Sequence, residues 1–245
     1  MEKTKKNILA VAGFWFLFSA FFLGYRVSYF LGIFLPTVLF KALCSSCFVA
    51  LGLFNYCRTG QKSSAFKKYS VKIILGLVFS LAADVIIKLS LVFGILAFLL
   101  AQVSYFLAFL EFKKVSLRYV LLVVFVTAAI LLFEWFSPWF ELKKLLVPLC
   151  VYALVDVGSA LKSIDALRLK DRFSRVVFFA SVMFLISDLS LQLSIREICS
   201  LSWLGDQAAN NFSNILYYAA QLLFAHSLCK DFFASGTLEG QKAAC

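Results

Sequence analysis

The chain is a succession of long apolar runs separated by short polar stretches. A helix rises 1.5 Å per residue, so a run of roughly 20 apolar residues matches the hydrocarbon core of a bilayer. Cut at its polar stretches, the sequence predicts about eight transmembrane helices, over 7–25, 38–56, 71–91, 91–111, 117–136, 143–162, 174–194 and 208–229. The expected fold class is all-α: a polytopic membrane protein built as one bundle over residues 1–245, with no polar stretch long enough for a separate soluble domain. The longest polar stretch, Arg58 to Ser70, reads as a basic linker against lipid headgroups. Residues Glu134 to Glu141 read as an interfacial turn, with Trp135 and Trp139 at headgroup level and Pro138 ending the helix. The first segment reads as a retained helix. Its apolar run, Ile8 to Leu23, is long for a signal sequence, and Gly24, Tyr25 and Arg26 offer no small-residue cleavage site.

Composition supports lipid as the solvent. With 62% apolar residues and 29 Phe, and a mean hydropathy of +0.92, the chain has too little polar surface to cover a water-soluble globule. The net charge of +11 then raises the question of a nucleic-acid partner, and its distribution answers it. With the N-terminus in the cytoplasm, eighteen Lys and Arg fall on the inner side and six on the outer. The positive-inside rule places both termini in the cytoplasm, requires an even number of spans, and makes the charge a topology signal in contact with anionic lipid. No nucleic-acid-binding motif accompanies it. Of the seven Cys, Cys44, Cys47, Cys57, Cys150, Cys199 and Cys229 lie in or beside spans, where Cys acts as a small apolar residue. Cys44-x-x-Cys47 has no second Cys/His pair nearby, the single His being His226, so it reads as packing and no metal site is expected.

Candidate chemistry lies in the polar residues inside the apolar runs. Asp84 sits within Leu75 to Val92 and Asp188 within Val176 to Leu193. A carboxylate at membrane depth costs a few kcal/mol or more, so it faces a protein interior or a wet cavity and marks a site. Counted from the predicted cytoplasmic helix ends, both lie about 20 Å deep, in the outer half of the bilayer. Lys41, Lys88 and the stripe Asn211, Asn214, Tyr217 and Gln221 on the last helix, with Tyr218 beside it, reach the same level. Structural readings stand next to this one. Asp84 and Lys88 are four apart and suit an internal ion pair, the two Lys can snorkel, and the stripe also suits helix–helix glue. Asp156 is a third acid, placed in the inner half, with Lys162 or Ser159 as expected partner, and is left outside the site.

Gly76-Leu77-Val78-Phe79-Ser80-Leu81-Ala82-Ala83-Asp84, followed by Phe93-Gly94, Phe98 and Gln102-Val103-Ser104-Tyr105, resembles the signature of the YhhN family of lysoplasmalogenases: Ser-Leu-x-Gly-Asp, then Phe-x-x-Gly, Phe and His-x-x-Tyr. Phe184-Leu185-Ile186-Ser187-Asp188-Leu189 resembles the family's late Ser-Asp motif, and Tyr217-Tyr218-Ala219-Ala220-Gln221 its Tyr-Tyr-x-x-Gln ending. Lys41 stands where the family has an early Lys, and Ala166-Leu167-Arg168-Leu169 where it has a basic loop. The chain departs from the pattern at Ala42 for Pro, Ala83 for Gly and Gln102 for His. The last matters most, because an amide hydrogen-bonds but takes no proton near neutral pH.

The resemblance implies an eight-helix fold and hydrolysis of the vinyl ether of a lysoplasmalogen, a lysophospholipid, to a fatty aldehyde and glycerophospho-ethanolamine or -choline, without metal or cofactor. Asp84 and Asp188 are the expected acid and base, in an order the residues leave open. Lys41 is expected to meet the phosphate, with Asn211, Asn214, Tyr217, Tyr218, Gln221, Gln102 and Tyr105 lining the substrate site. The expected location is a bacterial cell membrane or an endoplasmic reticulum. A proton-coupled transporter is the alternative, since paired intramembrane acids also suit a proton relay. A faint parallel between Asp84–Ser90 and Asp188–Ser194 suits a duplicated unit.

Overall fold

The computed structural model describes residues 2–60, 62–136, 146–195 and 203–233. Among them are eight α-helices and no strand: α1 Glu2–Phe30, α2 Phe34–Arg58, α3 Ser64–Ile86, α4 Leu91–Phe109, α5 Leu117–Phe136, α6 Leu146–Ser163, α7 Arg172–Ile195 and α8 Trp203–Ser227. A short 3₁₀ helix, Ile164–Leu169, joins α6 to α7. Each expected segment carries one helix. The expected interfacial turn at Glu134 to Glu141 falls mostly outside the described residues, as do Lys143, Lys144, Arg196 and Cys199.

The helix ends follow local chemistry. Gly32 ends α1 in the left-handed region, φ 68°, with its N–H donating to Tyr29 O and that of Ile33 to Ser28 O; this pairing satisfies the last carbonyls and favours a residue without Cβ. Ser63 caps α3 by accepting from the Phe66 N–H at 3.2 Å. Pro36 and Pro148 lie in the first turns of α2 and α6, where the missing N–H breaks no intrahelical bond. One boundary differs in a way that matters. α3 stops at Ile86, and residues 87–90 form a turn before α4, so Lys88 leaves the helix face it shares with Asp84 in the sequence reading.

The outer surface is far more apolar than that of a water-soluble protein, and several polar side chains lie inside. Phe16, Leu35, Leu117 and Phe125 are each more than 70% exposed, whereas Asp84 and Gln221 are fully buried. An apolar surface with polar groups held inside is the arrangement expected where lipid replaces water. Among the described residues, five helices are long and apolar enough to cross a membrane: Val11–Phe30, Phe34–Arg58, Ser64–Ile86, Leu91–Phe109 and Arg172–Leu191, with a shorter apolar stretch at Leu117–Leu132. They fit a multi-pass membrane protein. α6 carries Asp156 and Lys162 and α8 an Asn/Gln stripe, which lowers their mean hydropathy. The described members of these polar sets are buried or half-buried.

α7 packs on α8, α3 on α4 and α1 on α2, while α2 and α3 both touch α8 and α6 bridges α4 to α7. The core between them is aromatic: Tyr105 stacks on Phe224 with ring centroids 4.5 Å apart, and Tyr217 meets Phe48, Phe98 and Phe184 edge-on. α5 packs on α6 at the periphery. The result is a cavity with both polar and apolar walls at the end of the bundle that carries the connections 31–33 and 87–90.

Candidate active site

The cavity has a volume of about 250 Å³, just below the roughly 300–1,000 Å³ common for small-molecule sites. Asp84 from α3, Ile87 and Lys88 from the turn after it, Lys41 from α2, and Tyr25 from α1 line it. Leu91, Ile95 and Phe98 from α4, Tyr152 from α6, Ser187 and Asp188 from α7, and Asn210, Asn214 and Tyr217 from α8 line it as well. Seven elements therefore meet here. Antiparallel packing makes this possible, because C-terminal halves of α1, α3 and α7 face N-terminal halves of α2, α4, α6 and α8.

Asp84 is fully buried and surrounded by donors. Lys41 Nζ lies 2.9 Å from Oδ1, while Ser45 Oγ and Tyr217 Oη donate to Oδ2 at 2.5 and 2.8 Å. The sequence reading offered Lys88 as the partner of Asp84; the structure gives that place to Lys41, from a different helix. Since the α3 helix ends at Ile86, Lys88 turns away, and its ammonium sits 5.1 Å from the centroid of the Tyr29 ring.

Asp188 accepts a hydrogen bond from Tyr152 Oη. Tyr152 and Asp156 are four residues apart on α6 and so share a helix face, and Asp156 lies within electrostatic reach of Asp188. Asp156 accepts from Gln102 Nε2 at 2.7 Å. Its expected partners are engaged elsewhere: Lys162 pairs with Asp165 at 2.8 Å, and Ser159 donates to the Gln102 carbonyl at 3.2 Å. No ion pair reaches Asp156 or Asp188 among the described residues. The two acids that line the cavity thus differ in setting, Asp84 with a fixed counter-ion and Asp188 beside another acid.

Of the residues expected from sequence to form the site, Asp84, Asp188, Lys41, Asn214 and Tyr217 line the cavity. Gln221, Tyr105, Gln102, Tyr218 and Asn211 are not among its lining residues. Tyr105 Oη donates to Gln221 Oε1 at 2.6 Å, and Gln221 Nε2 to Ser80 Oγ at 2.9 Å, a closed polar lock among α3, α4 and α8. Tyr218 sits in an aromatic cluster with Phe18, Phe22 and Phe48 that seats α1. Tyr25 and Tyr152 line the cavity without having been singled out. Tyr152 was legible in principle, as the residue one helical turn before an intramembrane acid.

Residues 36–228 match the family model described as the YhhN family. The chain belongs to the YhhN family. The match takes in Lys41, Asp84, Asp156, Asp188 and Tyr217 of this YhhN protein and leaves the whole of α1 outside it. No curated protein and no solved structure matches significantly.

Proposed function

We propose that this YhhN protein is an intramembrane hydrolase that cleaves the vinyl ether of lysoplasmalogens with Asp84 and Asp188 as a metal-independent acid–base pair. The observation that carries the reading is that two intramembrane carboxylates from different helices line one cavity, each in a different electrostatic setting. Asp188, with Tyr152 as donor and a second acid as neighbour, is assigned the proton to give. It protonates the outer alkene carbon, and the resulting oxocarbenium ion carries its charge between the inner carbon and the ether oxygen. Asp84, held by Lys41, Ser45 and Tyr217, is assigned as the base. It takes a proton from the water that adds to the inner carbon. The hemiacetal then passes its hydroxyl proton to the glycerol oxygen, the C–O bond breaks, and aldehyde and glycerophospho-alcohol separate.

In this reading the cavity end near 87–90 faces the outer half of the bilayer, all eight helices of the single domain span it, and both termini are cytoplasmic. The basic residues of 58–72, 113–118, 162–175 and 230 support that orientation. Asn214 and Tyr217 orient water and headgroup, whereas Gln221, Tyr105 and Gln102 hold the helices that carry the acids.

The test is incubation of purified protein in detergent with a lysoplasmalogen and with its saturated ether analogue. Aldehyde release from the vinyl ether alone is the expected result. Absence of release under conditions where the protein stays folded would overturn the reading and leave the acid pair to a transport function.

A further inference from the structure

Lys41 is engaged by Asp84, which leaves two other cations with no acidic partner among the described residues: Lys88, which lines the cavity, and Arg26, which stands behind that lining across the rings of Tyr25 and Tyr29. Arg26, on α1, holds its guanidinium carbon 5.1 Å from the Tyr29 ring centroid and 5.5 Å from that of Tyr25. Lys88 Nζ stands 5.1 Å from the same Tyr29 ring. Tyr29 is itself held by Asn210, whose Nδ2 donates to its hydroxyl at 3.0 Å.

Arg26 and Lys41 are both near enough to act on the charge of Lys88, and Asp84 is the one described acid that opposes them there. Three positive charges against one negative, partly removed from water, repel unless an anion joins them. Arg26 also has Nη1 buried without a hydrogen-bond partner. A guanidinium is a planar fork of donors that fits phosphate oxygens. Next to Lys88 the cavity wall becomes apolar, with Ile87, Leu91, Ile95 and Phe98. A cationic end beside an apolar wall is the shape of a site for an anionic head with one hydrocarbon chain.

We infer that Arg26 and Lys88 form the seat for the phosphodiester of a single-chain lysophospholipid, whose chain lies along Ile87, Leu91, Ile95 and Phe98. The inference rests on the lipid reading of this site, and it moves the phosphate contact from Lys41, which sequence favoured, to two residues it did not. Arg26 precedes the stretch matched to the family, so this chain supplies half of the seat from outside that stretch.

Binding to a ligand that cannot be cleaved separates this inference from the chemistry. The full-length protein in non-ionic detergent, with Arg26→Gln, Lys88→Gln and the double variant, is titrated calorimetrically with a saturated 1-alkyl glycerophosphoethanolamine. The matching alkylglycerol, glycerophosphoethanolamine without a tail, and inorganic phosphate are the comparison ligands. The wild type is expected to prefer the phospholipid over the alkylglycerol by at least about tenfold, the scale of one charge-assisted contact. Each single variant should reduce that ratio and the double variant should bring it near one, with alkylglycerol affinity unchanged as the sign of intact folding. No preference in the wild type, or a preference that survives in the double variant, overturns the inference. Tail-less headgroup or phosphate bound as tightly as the lipid would make this a free-anion site and overturn the lipid assignment. If the double variant also loses alkylglycerol, the ratio in Lys88→Gln, which lies outside the helices, decides. Aldehyde release with no phosphate preference would sink this inference alone; phosphate preference without aldehyde release would sink the hydrolase alone.

Discussion

Replacing Lys41 by Met tests whether Lys41, not Lys88, is the counter-ion of Asp84. The side chains of Lys41 and Asp84 are 10% and 0% exposed and 2.9 Å apart, so water cannot take over the role of either. Removing one partner of such a pair strands the other and costs about 3–5 kcal/mol. Lys41→Met is therefore expected to destabilise by about that much, and so is Asp84→Asn, which leaves the ammonium behind. Lys88→Met removes a half-exposed cation over a ring, worth about 0.5–1 kcal/mol, and should be much milder. The double variant Lys41→Met/Asp84→Asn loses both charges together. It should cost far less than the sum of its singles, leaving mainly imperfect bonds from Ser45 and Tyr217, about 1–3 kcal/mol. Reversible unfolding by SDS titration from non-ionic micelles, run on the four variants side by side, measures all of this. A Lys41→Met cost no greater than that of Lys88→Met, or strict additivity in the double variant, would refute the pairing.

Asp84→Asn and Asp188→Asn should each lower aldehyde release by at least roughly 10²-fold, the scale of losing a general acid or base; near-normal turnover in the folded fraction would remove them from catalysis. Lys88, in the turn outside the helices, is pushed down to about 8, chiefly by burial and then by the charge of Lys41, with Asp84 opposing and Arg26 adding to the fall. Anion binding favours its charged form, so lysophospholipid affinity should be level below about pH 7 and fall as pH rises through 8; the phosphodiester keeps its charge throughout, Tyr25, Tyr29 and Arg26 face the same end, and calorimetry across that range, repeated on Lys88→Gln, should find the step only in the wild type. Gly76→Ala should destabilise by about 1–3 kcal/mol, because its new methyl would collide with the Tyr105 ring; an unchanged melting temperature would contradict the packing of α3 on α4. A reporter fused after Cys245 should read as cytoplasmic, and an exported reading would invert the topology.

The helices were legible because each one satisfies its own backbone, and a long apolar run in lipid has no other economical form. Asp84, Asp188 and Tyr217, which line the cavity, were legible as candidates because a buried polar group is expensive wherever it is, so its presence in an apolar run signals a use for it before any neighbour is known. What the sequence could not determine was partnership. The i,i+4 spacing of Asp84 and Lys88 suggested a pair within one helix, but the helix ends between them and a residue 43 positions earlier, Lys41, arrives from α2. Tyr105 and Gln221 illustrate the same limit: their apolar context gave their depth but not their direction, and inter-helix packing turned them into a lock with Ser80. Depth along a membrane helix follows from counting residues at 1.5 Å each. Azimuth and neighbour follow from how side chains on several helices interlock, and that was decided only when α1, α2, α3, α4, α6, α7 and α8 closed around the cavity.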